Sequence, residues 1–127
     1  MYHLVHGSFM NKSFGKYVRT ARESLNEEQA EYSVRKVAGR IGVQPSYLSK
    51  VERSEVAPPS EATIVRLSTD LEEDSDVLLA LAGKVSEDLR KAIIKRPKVF
   101  AELIRQLKDA PETALLRVVR EVRDGDW

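Results

Sequence analysis

The sequence predicts an all-α fold, five helices forming one domain and about three more following it. Three observations carry this. Apolar residues recur at intervals of three and four along almost the whole chain. Sustained alternation of apolar and polar residues, the mark of a half-buried strand, is absent. Serine, glycine and proline stand at the points where one apolar stripe gives way to the next, which are the positions that start and stop helices.

In chain order, Ser13 is placed to cap a first helix, with Phe14, Val18, Ala21 and Leu25 on one stripe. The preceding residues, 1–12, read as a flexible arm or a vector-derived remnant, and "NEEQAE" as a polar connection that can extend the helix by a turn. Ser33 caps a second helix carrying Val34, Val37, Ala38 and Ile41, and Gly42 ends it in a left-handed position. Pro45 is tolerated in the first turn of a third helix, which runs to about Arg53. After the loop "SEVAPPS", Ser60 caps a fourth helix with Ile64, Leu67 and Leu71 inward. Ser75 caps a short fifth, "DVLLALA", closed by Gly83. Ser86, Pro97 and Pro111 open three further helices. The expected division is 13–83 for the first domain and 84–127 for a helical extension.

Composition narrows the function. The chain of 127 residues contains no cysteine, which removes disulfides, thiolate metal sites and thiol catalysis. Its two histidines, His3 and His6, both lie in the arm; no metal and no cofactor are expected. The acidic stretch "LEEDSD" lacks the glycine and terminal glutamate of a calcium loop and reads as a loop with capping duties. With no Gly-rich phosphate loop and no carboxylate pair at a telling spacing, an enzyme is disfavoured. No apolar run is long enough to cross a bilayer, and the first ten residues do not resemble a secretory signal, so a cytoplasmic protein is expected. Net charge is +1, divided as +3 over residues 1–66 and −2 over residues 67–127. Such a balance leaves polyanion binding to a local basic patch.

The third helix supplies such a patch. Within "GRIGVQPSYLSKVERSE", Tyr47, Leu48 and Val51 fall on one side, suited to burial against the first two helices. Ser46, Ser49, Lys50 and Arg53 follow one another at intervals of three, one and three, a polar stripe without a carboxylate. Short hydroxyls allow close approach to a groove wall, and lysine and arginine reach guanine edges or phosphates. An α-helix with that outer face fits the DNA major groove.

The segment "YSVRKVAGRIGVQPSYLSKVERSEVAPPSEATIVRLS" resembles the helix-turn-helix of the Xre family, the Cro- and cI-like repressors. The match lies in Gly42-Val43, in Pro45-Ser46-Tyr47-Leu48-Ser49, in Glu52-Arg53 and in Pro59-Ser60, and it extends from about Phe14 to Gly83. The resemblance implies a five-helix bundle in which Pro45, Ser46, Ser49 and Lys50 face bases. It implies phosphate contacts for Gln44 and Arg53, with Arg35 as a third candidate, and a structural pair between Arg22 and Glu52. Ser54 departs from the pattern, standing where the family often has glycine.

Beyond Gly83 the chain is similar to the helical tails of some Xre-type regulators. Its large apolar residues, Phe100, Leu103, Ile104, Leu107, Leu115, Val119 and Val122 among them, exceed the needs of a five-helix core and point to a dimer interface. The basic run "RKAIIKRPK" reads more simply as a solvated surface than as a contact with DNA flanks. The expected function is a sequence-specific transcriptional regulator, a repressor that binds an inverted repeat in double-stranded DNA as a homodimer. The alternative is an antitoxin-type interaction module whose C-terminal helices hold a partner protein.

Overall fold

The computed structural model describes the backbone of residues 2–127 and the side chains from Phe14 onward. Among the described residues there are eight helices and no strand: α1 (Tyr2–Glu28), α2 (Val34–Ile41), α3 (Pro45–Glu52), α4 (Glu61–Asp70), α5 (Ser75–Leu81), α6 (Glu87–Lys95), α7 (Pro97–Leu107) and α8 (Glu112–Asp124). They divide into two compact units, residues 1–86 and 87–127.

Most helix ends follow from the residue at the boundary. Ser33 caps α2, accepting from the Lys36 N–H at 3.2 Å, and Ser60 caps α4 through Thr63 N–H. Gly42 and Gly83 end α2 and α5 with φ of 78° and 74°, a backbone region that costs glycine nothing. Three boundaries differ from expectation. Ser13 lies inside α1 rather than at its cap, because helical backbone continues from Tyr2 through the stretch expected as an arm. No proline interrupts that stretch, and extending an existing helix is far easier than nucleating one. Asp74, not Ser75, caps α5, its carboxylate accepting from the Asp76 N–H at 2.8 Å. Pro111 precedes α8 as its cap residue instead of opening its first turn. His3 and His6, weighed as metal ligands, have side chains outside the described ones.

In the first unit α1 packs against α3 and α5, α2 against α3 and α4, and α4 against α5. Their apolar stripes meet in one core: Phe14 and Val18 from α1, Val37, Ala38 and Ile41 from α2, Leu48 and Val51 from α3, Ile64 and Leu67 from α4, and Leu78 and Leu79 from α5. Full burial of each such side chain contributes about 1.5–3 kcal/mol, so this core fixes the position of α3. Gly15 lets α1 come close to it. A Cβ there would stand 2.5 Å from the Val51 carbonyl oxygen and 2.8 Å from that of Glu52.

The second unit is built differently. Helix α6 packs against α7, yet none of the three helices has a fully buried residue. Ile94, Val99, Ile104, Val119 and Val122 are each more than half exposed.

The close approach at Gly15 generates a prediction. Gly15→Ala forces α1 away from the end of α3, and overpacking of this kind costs about 1–3 kcal/mol. Urea denaturation of the two proteins measures the difference; equal midpoints would show that the contact carries no strain when filled.

Candidate nucleic-acid interface

Helices α2 and α3 are joined by a three-residue turn, Gly42 to Gln44, in which the Val43 N–H returns to the Ala38 carbonyl at 3.0 Å. The left-handed Gly42 turns the chain sharply, and Pro45 then occupies the first position of α3. Its missing N–H matters little there, because the first turn has no intrahelical acceptor. Gln44 flanks the helix without a side-chain capping bond, so the first-turn N–H groups face outward without a side-chain acceptor.

The two sides of α3 separate sharply. Leu48 and Val51 are 1% exposed and belong to the core, with Tyr47 half-buried beside them. Pro45, Ser46, Lys50 and Arg53 are exposed, together with Gln44 ahead of the helix. Ser49 is half-buried, so the outer stripe is narrower at its middle than spacing alone suggests.

Glu52, a carboxylate on the helix meant to face outward, points inward. Arg22 of α1 donates to it through Nε at 2.7 Å and through Nη2 at 2.9 Å, and its Nη1 reaches the Tyr32 carbonyl at 3.0 Å. Both residues are 7% exposed. The hydrogen bond to Glu52 raises the arginine's pKa against the opposing effect of burial, which keeps the buried guanidinium charged. The chain thus removes the only carboxylate of α3 from its outer face.

Arg53 is not a free cation. Its Nε and Nη2 lie 2.5 and 3.5 Å from the carboxylate of Glu55. The bond to Arg53 holds the Glu55 carboxyl below its ordinary range, with the charge of Lys50 acting in the same direction. Sequence spacing misses this partner, because Glu55 follows the helix and only the turn through Ser54 brings it back. The Ser54 φ of 61° and the Glu55 N–H bond to the Lys50 carbonyl at 2.9 Å define that turn.

On α2 the cations divide. Arg40 is committed to Asp70 at 2.6 and 3.0 Å and lies 5.0 Å from the centroid of the Tyr32 ring. Lys36 is held by the Ala30 carbonyl. Arg35 is exposed and its side chain has neither a hydrogen-bond nor an ion-pair partner among the described residues, and the same is true of the Lys50 side chain. These two are the uncommitted cations of the α2–turn–α3 segment. The expected dimerisation residues lie in the second unit: Phe100, Leu107 and Leu115 are half-buried, whereas Leu103, Ile104, Val119 and Val122 are exposed.

An all-α domain with a short left-handed turn, a helix anchored on its inner side and a hydroxyl-and-cation outer side defines a helix-turn-helix DNA-binding domain. The family model described as the helix-turn-helix domain matches residues 13–81, more than half of the chain, and the chain belongs to that family. No curated protein and no solved structure gives a significant match. Among the described residues no helix is long and apolar enough to cross a membrane, and no cluster of histidine and carboxylate side chains is arranged to hold a metal.

The buried pair yields the prediction for this site. Arg22→Met leaves Glu52 charged and unpaired in the core, which costs about 3–5 kcal/mol. The double variant Arg22→Met, Glu52→Leu removes both charges and recovers most of that stability. Thermal or urea unfolding measures each step; a double variant no more stable than the single would show that the arginine acts chiefly through Tyr32.

Proposed function

We propose that the chain is a sequence-specific transcriptional repressor of the Xre type, which binds an inverted repeat in duplex DNA as a homodimer. The division of α3 carries this reading: its only carboxylate is buried, and its outer side presents Ser46 and Lys50, with Ser49 half-buried between them and Arg53 just beyond its end. Ser46, Ser49 and Lys50, with Pro45, face base edges in the major groove, and Gln44, Arg35 and Arg53 hold phosphates. Arg53 exchanges the carboxylate of Glu55 for a phosphate when it does so. The resemblance of residues 14–83 to Cro- and cI-like repressors supports the direction of regulation.

Pairing through residues 87–127 is supported by their lack of a buried residue. A unit of about forty residues rarely holds itself together without disulfides, metals or association. The apolar positions Leu103, Ile104, Val119 and Val122 form the interface, and two-fold pairing presents α3 twice, one helical turn of DNA apart.

Selection of bound sequences from random duplex DNA is the test of the whole reading, and a two-fold symmetric consensus is the expected result. Lys50→Ala and Ser49→Ala change the selected bases. Arg53→Ala weakens binding to all duplexes alike and lowers the slope of log affinity against log salt by about one. Unchanged preference in the first two variants would mean that another face reads the DNA. For the pairing, sedimentation of the wild type gives a dimer, and Leu103→Asp with Val119→Asp gives a monomer. A wild-type monomer with sticky apolar surface would instead point to a different partner protein.

A further inference from the structure

Most arginines of this chain are held by carboxylates, Arg22 by Glu52, Arg40 by Asp70, Arg105 by Glu102 and Arg117 by Glu121 among them. One stretch concentrates cations without acidic neighbours in the sequence. Between Asp88 and Glu102 there is no acidic residue, and the stretch contains Arg90, Lys91, Lys95, Arg96 and Lys98. Arg90 is paired with Glu87. The other four are exposed, and among the described residues none of their side chains has a hydrogen-bond or ion-pair partner.

Lys95 lies in the last turn of α6, where a cation is favoured, but the rest of the placement is unfavourable for the isolated unit. Lys91 and Lys95 stand one turn apart on α6, where like charges repel. Arg96 is the cap residue of α7 and Lys98 lies in its first turn, which has no acidic residue. Cations at that end of a helix oppose its dipole. Four neighbouring positive charges, with no acidic residue between Asp88 and Glu102, match a polyanion. We infer that Lys91, Lys95, Arg96 and Lys98 form a second DNA contact, binding backbone phosphates outside the bases read by α3. This rests on the DNA-binding reading above and extends it: the C-terminal helices touch DNA as well as pairing the copies. Phosphate contacts of this kind add affinity without adding sequence preference.

The test replaces all four residues by glutamine, which removes charge and retains helix propensity. Wild type and variant are titrated with the selected operator and with a random duplex of equal length, from 50 to 200 mM salt. Each lost phosphate contact flattens the salt slope by about 0.9, so the loss of four lowers the slope by about 3.6 per chain on both duplexes. The variant's loss of affinity over that salt range is then smaller by roughly 150-fold per chain, which is a fourfold salt change raised to that power. Its base preference is unchanged. Circular dichroism and sedimentation establish that the variant folds and associates as the wild type does; Lys98→Gln alone, lowering the slope by about one, serves if it does not.

Equal salt slopes for wild type and variant on both duplexes overturn the proposal. So does unchanged DNA binding with lost binding to phosphatidylserine vesicles, which would assign the strip to a membrane surface. Failure of the repressor reading looks different: the selection then returns no consensus, while the random duplex still reports whether the strip binds phosphate.

Discussion

The two-toothed bond between Arg22 and Glu52 is the constraint on which the orientation of α3 depends. Three segments meet at that guanidinium: α1 supplies it, α3 supplies the carboxylate, and the lead-in to α2 supplies the Tyr32 carbonyl. A planar fork that fills all three directions fixes the rotation of α3 about its own axis, which the apolar contacts of Leu48 and Val51 specify less sharply. Removing two charges from water is costly, and a buried pair of this kind is weak grounds for claiming stability. Its effect here is directional. Glu52 is held inward, so the face defined by Ser46, Lys50 and Arg53 carries no negative charge of its own helix. Gly15 serves the same end from α1, because only a residue without Cβ lets the two backbones close to the observed distance.

A second regularity lies in how the helices of the first unit stop. In α2, α3, α4 and α5 the chain leaves through one left-handed residue, in turn Gly42, Ser54, Glu72 and Gly83. In each case the next N–H returns to a carbonyl of the last helical turn: Val43 to Ala38, Glu55 to Lys50, Glu73 to Ser68 and Lys84 to Leu79. The motif satisfies carbonyls that the helix end leaves open. At Ser54 and Glu72 the backbone adopts a conformation that costs a residue with Cβ about 1–2 kcal/mol. At Ser54 the turn has a local consequence, since it carries Glu55 back alongside Arg53 and neutralises the last cation of the outer stripe. The departure from glycine at this point, visible in the sequence, sits at the turn that sets the charge of the site.

How far the sequence was legible follows the range of each interaction. Ser33, Gly42, Pro45, Ser60, Gly83 and Pro97 act on their immediate neighbours, and each marks the boundary expected of it. The stripes on α1 to α5 share a period with their partners, so the core residues were visible as well. Ser13 misleads because a good cap residue is silent when the helix before it does not stop. At the start of α5 two adjacent residues, Asp74 and Ser75, are both good caps, and spacing cannot choose between them. The Arg53–Glu55 pair and the approach at Gly15 were out of reach: one depends on a turn in an unusual backbone region, the other on the distance between helices far apart in sequence. Half-burial of Ser49 belongs with them, since it depends on how neighbouring helices crowd the middle of α3.

The two units spend their apolar residues in opposite ways, and on the homodimer reading this bears on how the protein responds to its own concentration. In residues 1–86 the stripes close on one another and leave a saturated core. In residues 87–127 every residue keeps some contact with solvent, although α7 and α8 each carry an apolar stripe as regular as those of the first unit. Periodicity therefore specifies that a face will be buried without specifying against what. A unit that gains its core only by association has a stability inseparable from protomer concentration. If residues 87–127 pair with a second copy, their helices are least secure when copies are few, whereas the core of the helix-turn-helix does not depend on pairing. On the homodimer reading, dilution removes the paired presentation of α3 before it damages α3 itself. Occupancy of a two-fold operator would then rise more steeply with concentration than binding by a single, independent domain allows.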